Sequence, residues 1–457
     1  MNVREVHQGR LESPFYPRQK ALDRLDNWHT WKGYTTADAL FDAELEYFAI
    51  RNSTGVFDLT PMTKYRITGK DSLAYIDRLV TRDMRKVGAG RVAYAVWCND
   101  QGQVIDDGTI FHLREGEYRL CSQERHLPWL MAAAIGFDVT IREETADIAG
   151  LAVQGPTSFS IMKNLGLNGI ENLKPFGLMH FDFQGTELMV SRTGFTGDLG
   201  YELWLSPHKA LALWDALFEA GRHYDIRAMG THALEQARIE AGYLAAYQEF
   251  LPADETVRTG RSRSPFELGL DWLVDFKKPN FNGRRALAAE KLNGSKWRLV
   301  KLDIEGNKPA HHSYIYAKPR KNKKEIGFIT SASWSPVCKQ NIAIGSVRMP
   351  VDNEVSPLVP FRGKQGSFKY ISATAVLRGA APIEDLKNKI VLVGTSAPGL
   401  FDLRTVPVQS VYPGVEVHAN LIAGMLDGNI KQRPPYVIGA EFLLLILFGT
   451  GMAFLLP

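Results

Sequence analysis

Two stretches of this chain combine residue types that can do chemistry. Asn99-Asp100-Gln101-Gly102-Gln103-Val104-Ile105-Asp106-Asp107 reads as a hairpin turn opening a strand that carries two adjacent carboxylates. Further on, Ser191-Arg192-Thr193-Gly194-Phe195-Thr196-Gly197 forms a glycine-punctuated turn into Tyr201-Glu202-Leu203-Trp204, an apolar strand with a single acid. An acid on an apolar strand is expensive to bury, so it has a partner or a task. Successive strand residues face opposite sides, so Asp106 and Asp107 cannot both enter one cavity. Each residue also has a bland alternative. Asp107 alone reads as a hairpin carboxylate paired with an amide or arginine, and Glu202 as an edge-strand acid. Arg238 alone reads as half of a helix-surface ion pair, and Tyr94, Met62 and Phe195 as ordinary core.

The elements that must position these residues point to an α+β class. Helical spacing predicts helices over Asp42–Ile50, Asp71–Val80 and Trp129–Ile135, and around Leu211, Trp214 and Phe218. Strand-like runs cover Val92–Cys98, Val104–His112, Tyr118–Cys121, Asp138–Ile141 and Leu151–Gln154. A second character begins near Lys296, where Val300–Ile304, Ile326–Thr330 and Asn341–Val347 read as short strands of a small barrel or sandwich. From Val351 the style changes again. Lys389–Gly394 is a continuous apolar run expected to form a strand covered on both faces. Gly414–Leu426 reads as a helix, with Val417, Leu421 and Met425 four apart. Gly394–Gly399 resembles a phosphate loop only loosely, because it has no lysine.

Size and composition bound the reading. A chain of 457 residues is too long for one core and implies two to four domains. A net charge of +4 gives no case for nucleic acid. The densest basic run, Lys318–Lys324, reads as a solvated hairpin tip, with a basic finger that attracts an anionic ligand tail as the sharper alternative. Cys98, Cys121 and Cys338 are too few and too scattered for a disulfide framework or a metal set, which fits a reducing compartment. The N-terminus lacks a secretory signal. Apolar character from Val437 to Leu456 is long enough to cross a bilayer and is read as a transmembrane segment.

Residues from about 31 to 347 resemble the aminomethyltransferase family, typified by the T-protein of glycine cleavage. The likeness is carried by Gly55-Val56-Phe57-Asp58 with Met62, by Asn99–Asp107 and Ser191–Glu202, and by Ala237-Arg238-Ile239-Glu240-Ala241-Gly242. Ser264–Leu270 with Trp272, and Thr330-Ser331 through Ser335-Pro336, also fit. The resemblance implies a fold around a central folate cavity and transfer of a one-carbon unit from a small-molecule donor to tetrahydrofolate. It puts the catalytic carboxylate at Asp107 and gives Glu202 and Arg238 a grip on the folate, with Tyr94, Met62 and Phe195 packing the flat ring system. Three departures fall where the donor would bind. Gln103 replaces a glycine, Phe195 replaces a tyrosine, and Cys121-Ser122-Gln123-Glu124-Arg125 replaces an Asn–Ala ending. A demethylase of a methylated amine, betaine or sulfonium compound is therefore as well supported as a glycine-cleavage enzyme, whose branch implies a lipoyl carrier protein as partner.

Residues 351–435 resemble the C-terminal part of an extracytoplasmic sensor, the second type of CHASE domain. Phe361-Arg362-Gly363 through Ser372, Ile390–Gly399 and Tyr412–Asn420 carry that likeness. The expected organisation is a folate-binding region over 1–295, a truncated C-terminal β-barrel over 296–350, a partial α/β sensor fragment over 351–435 and a membrane helix over 437–456. The leading expectation is a tetrahydrofolate-dependent transferase on the cytoplasmic side, tethered to the inner face of the membrane by its tail. The alternatives are a membrane-tethered sensor fragment that only binds, and an inactive truncated fusion.

Overall fold

The computed structural model describes residues 11–256, 260–306, 308–317, 324–348, 359–394 and 403–427. They fall into two compact units. The larger takes in the described parts of Met1–Ala289, Arg298–Ser313 and Phe328–Val347, and the other those of Glu290–Trp297, Tyr314–Gly327 and Arg348–Pro457.

In the larger unit, β1 (Asn27–Trp31) and β2 (Tyr34–Ala39) form a hairpin. Next along the chain come β3 (Thr54–Asp58), β4 (Thr63–Thr68), β5 (Arg91–Cys98), β6 (Val104–Arg114), β7 (Glu117–Ser122) and β8 (Thr140–Glu143). They are followed by β9 (Ala149–Gln154), β10 (Leu178–Phe183), β11 (Thr186–Ser191), β12 (Gly200–Leu205) and β13 (Ile226–Ala228). These strands build a five-stranded sheet in the order β5-β6-β7-β4-β8 and a six-stranded sheet in the order β10-β11-β12-β9-β3-β13. Every pairing in the two sheets is antiparallel except that of β13 with β3. Strands β7, β9 and β12 are buried at every position. That is why β9 and β12 run largely apolar rather than alternating, whereas in β7 the buried charges are paired, Glu117 with Arg66 and Arg119 with Glu144. The predicted α+β elements are present with their ends shifted by a residue or two. The Ala43–Asn52 helix, for example, is capped by Asp42, whose side chain accepts from the Glu44 and Leu45 N–H groups.

The turn before the acid pair forms as the sequence predicts. Asn99 Oδ1 accepts from the N–H groups of Gln101 and Gln103, and Gly102 takes a positive φ of 73°. Strand β6 then carries a bulge. Cys98 faces Val104 and Trp97 faces Asp106, which leaves Ile105 unpaired. Such an extra residue re-aims the side chains that follow it.

The barrel strands are β14 (Arg298–Ile304), β15 (Tyr314–Ala317), β16 (Lys324–Ser335) and β17 (Gln340–Val347), in the order β14-β17-β16-β15. Strands β14 and β17 pair antiparallel without a break from Arg298↔Val347 to Ile304↔Asn341.

One expectation for the C-terminal stretch needs correction. Ile390–Val393 is not a covered strand. It lies in no sheet, and its four side chains are 64%, 54%, 38% and 92% exposed, because no described strand offers its backbone a partner. The Gly414–Leu426 helix does form, after the hairpin of β18 (Leu403–Val406) and β19 (Gln409–Pro413). It buries Glu416, Asn420 and Ala423 rather than the apolar Val417, Leu421 and Met425. The reason is polar: Tyr370 donates to Glu416 at 2.6 Å, Asn420 donates to the Tyr412 hydroxyl at 2.9 Å, and its Oδ1 accepts from the Arg362 N–H.

The expected membrane segment at 437–456 lies outside the described residues, as do nearly all of the basic run and the phosphate-loop-like Thr395–Gly399. Among the described residues, no helix is long and apolar enough to cross a membrane.

Candidate active site

Asp107 follows the β6 bulge and takes a hydrogen bond on Oδ2 from the Tyr94 hydroxyl at 2.7 Å. Sheet register explains the pairing. Asp107 lies opposite Val96, and Tyr94 is two residues along β5 on the same face. Both side chains are half-buried, and the Tyr94 ring lies 6.1 Å from that of Trp272, which is largely exposed. Burial pushes the Asp107 carboxyl up to about 7, the charges of Asp106 and Glu249 add to the effect, and the Tyr94 hydrogen bond opposes it. A carboxyl poised near neutrality can hold or release a proton at working pH.

Asp106 points the other way, as strand alternation requires, and is fully buried. Its Oδ1 accepts the Asp107 N–H at 2.9 Å and its Oδ2 faces His126 Nε2 at 3.1 Å.

Glu202 is opposite Ser191 in the β11–β12 ladder and is buried. The Thr193 and Ser191 hydroxyls donate to its Oε2 at 2.6 and 3.5 Å, which leaves Oε1 for a ligand. Burial raises this carboxyl to about 7 against the pull of the two hydroxyls. The loop after Thr193 is shaped by Gln154, a fully buried amide on β9. Its Nε2 donates to the carbonyls of Thr193 and Tyr201 at 3.3 and 3.2 Å, and its Oε1 accepts from Thr196. A Cβ at Gly194 or Gly200 would stand 1.9 or 2.2 Å from that Oε1, so neither position has room for a side chain. The loop presents Phe195, whose ring stacks on Tyr243 at 5.7 Å.

Arg238 differs from expectation. It lies on the Thr231–Ala241 helix, is wholly buried, and has no N–H left over for a folate. Nε and Nη2 clasp the Glu235 carboxylate, Nη1 reaches the Tyr243 carbonyl at 3.0 Å and Glu249 at 2.8 Å, and Nη2 also reaches Ser331 at 2.7 Å. In this arrangement Arg238 holds Glu249 and the segment after the helix. Glu249 in turn accepts from the Ala245 N–H and from the hydroxyls of Thr330 and Ser331.

Met62 packs on the cluster of Phe57, Ala152 and Trp204, beside β12. Its carbonyl accepts from Lys64 Nζ at 2.8 Å. Lys64 is fully buried and its ammonium is pushed down to about 8 by burial.

Five of the six predicted residues thus fall into connected groups, and Met62 lies apart in its own apolar cluster. Tyr94 and Asp107 bond directly. Arg238 and Phe195 meet through Tyr243, and Glu202 is tied through Thr193 to the loop that bears Phe195. Glu249, Tyr243 and His126 also belong to these networks and escape sequence reasoning, because they lie in irregular segments with no periodic signal. A cavity of about 540 Å³ lined by Arg66, Arg119, Glu117, His180, Met189 and Trp204 contains none of the six. Its arginines are already paired with Glu117 and Glu144.

Comparison with known proteins converges on the same regions. Residues 19–278 match the GCVT N-terminal domain, and residues 298–373 match the glycine cleavage T-protein C-terminal barrel domain. The second match continues past residue 351, into the stretch that resembles a sensor. The aminomethyltransferase of Desulfitobacterium hafniense (strain Y51) is 32% identical over 306 residues, covering 66% of this chain and 80% of that protein. That of Halothermothrix orenii is 31% identical over 342 residues, covering 74% and 91%. The trimethylamine-oxide aldolase of Ruegeria pomeroyi is 35% identical over 366 residues, 77% of this chain and 45% of that protein. The crystal structure of glycine cleavage system aminomethyltransferase T from Bartonella henselae shares the fold, with a TM-score of 0.66 at 21% identity over 74% of this chain and 90% of that one. These matches support the transferase reading and lend none to the sensor or the membrane segment. With the N-terminal domain match alone spanning more than half of its length, the chain belongs to the aminomethyltransferase (glycine cleavage T-protein) family of folate-dependent transferases.

Proposed function

We propose that this protein moves a one-carbon unit from a small methylated amine, betaine, sulfonium or glycine-derived donor to tetrahydrofolate, with Asp107 at the reacting centre. The observation that carries the reading is a half-buried carboxyl, held near neutrality, bonded by Tyr94 and set on the family's acid-pair strand. Tetrahydrofolate, when bound, supplies the amine nitrogens that accept the one-carbon unit. Asp107 orients the accepting nitrogen, takes up the proton it sheds, and stabilises positive charge that develops during transfer. The free oxygen of Glu202 suits the amino group and ring N–H that a pterin presents side by side. Phe195 and Tyr243 offer ring faces for the rest of the cofactor, and Met62 an apolar edge. Arg238 acts at one remove, by fixing Glu249.

Among donors, a methylated amine has the best support. The substitutions at Gln103, Phe195 and Cys121–Arg125 depart from the glycine-cleavage pattern, and a relative at 35% identity is a trimethylamine-oxide aldolase. A lipoyl carrier protein is the partner only if the donor is glycine-derived. The test is a screen of methylated amines, betaines and sulfonium compounds with tetrahydrofolate, following the folate product. Asp107→Asn should lower turnover by about 10²- to 10⁴-fold with little change in folate affinity. Unchanged turnover in that variant rejects the assignment.

A further inference from the structure

The two nitrogens of His126 each face a carboxylate from a different part of the chain. Nε2 lies 3.1 Å from Asp106 Oδ2 and Nδ1 lies 3.0 Å from Asp254 Oδ2, and the ring is buried. A neutral imidazole has one N–H and could satisfy one of these oxygens; only the doubly protonated ring donates to both. The surroundings agree. The Trp97 ring meets the imidazole edge-on at 6.3 Å, and the Tyr65 hydroxyl accepts the His126 backbone N–H at 2.9 Å. Lys32, paired with Glu124, also lies within electrostatic reach of Asp106, of Glu255 next to Asp254, and of Arg125.

The position of this bridge matters because of what lies at each end. Asp106 adjoins Asp107 and accepts its backbone N–H. Asp254 lies in the same irregular segment as Glu249, and the neighbouring Ala253 N–H bonds the Val104 carbonyl at the start of β6. We propose that His126 is a positioning residue for the one-carbon transfer: as an imidazolium strapped between Asp106 and Asp254, it keeps a negative charge behind Asp107 and ties the Glu249 segment to strand β6. This rests on the assignment of Asp107 given above. Burial works against a charged ring here, yet the two carboxylates outweigh it and hold His126 up at about 9. Burial also drives Asp106 towards its neutral form, and the imidazolium is the principal group that opposes this. Without His126, Asp106 takes up a proton and stops repelling the Asp107 carboxylate. The titration of Asp107 then moves to lower pH.

Two measurements test the strap on the full chain. In protein carrying ¹⁵N-histidine, one ring should show both nitrogens protonated at pH 7 and stay so to above pH 8. That signal should vanish in His126→Gln and titrate at lower pH in Asp254→Asn. A neutral tautomer at pH 7 overturns the proposal. In folate-dependent turnover, His126→Gln should lower kcat by about tenfold and move the Asp107 limb of the pH profile down by about one unit, with Asp254→Asn moving it less. A loss of kcat with an unmoved limb means that His126 is merely structural. If His126→Gln fails to fold, the Asp254→Asn profile and the wild-type spectrum decide alone. Asp107→Asn separates the two levels of argument. If it abolishes turnover while His126→Gln leaves the limb in place, only the strap fails; if it leaves turnover intact, the function assignment itself fails.

Discussion

The larger unit and the C-terminal stretch dispose of similar apolar material in opposite ways. Strands β9 and β12 bury every residue, and even an acid such as Glu202 is enclosed with hydroxyl partners. Ile390–Val393, no less apolar, lies outside any sheet with side chains in solvent. Charge follows the same division. Arg238 has all five N–H groups bonded in full burial, whereas Arg362 meets Asp427 with both side chains about half exposed. Burial is a property of neighbours, and an apolar run gains stability only where a second layer covers it.

Paired substitutions sharpen this contrast. Arg238→Ala should cost about 3–5 kcal/mol, because it leaves Glu235 and Glu249 without their buried cation, while Arg362→Ala should stay within about 0.5 kcal/mol. Urea denaturation reads both, and equal costs would erase the distinction. Leu203→Ala, in the fully buried β12, should cost roughly 2–5 kcal/mol, against about 0.5 kcal/mol or less for Val393→Ser.

The smallest effect concerns pH. Asp107 and Glu202 each titrate near 7 in the fold, against 3.8 and 4.5 for free side chains. Between those limits the native state binds more protons than the unfolded chain, so stability falls as pH rises from about 4 to 7 and stays low above. Glu202→Gln, neutral throughout, should therefore be more stable than the parent by about 2–3 kcal/mol at pH 8 and gain nothing at pH 4. Melting at the two pH values checks the sign. The same variant should lose affinity for tetrahydrofolate, by calorimetry, which would mark the buried acid as kept for binding at the expense of stability.

What could be read from the sequence follows from how far each interaction reaches. The turn at Asn99–Gly102, the acid pair and the apolar run around Glu202 are local, and they appear in place. The bonds that spend Arg238 were not legible. Glu249 lies eleven residues on in an irregular segment, and Ser331 is ninety-three residues away. His126 and Asp254 are 128 residues apart, so no spacing rule could pair them. The helix at Gly414–Leu426 is legible from its period, but its inner face is not. Glu416 and Asn420 turn inward to meet the hydroxyls of Tyr370 and Tyr412, which periodicity does not reveal.

The Gln154 amide, wedged between Gly194 and Gly200, has a bearing on how the Phe195 loop can vary. The curve of the loop that offers Phe195 is written into a neighbouring strand rather than into the loop itself. Residue 195 can therefore be exchanged for another without redrawing the curve, while the scaffold stands still. Exchange of Gln154 for leucine would do the reverse, leaving every ligand-facing residue in name and releasing the shape that presents them.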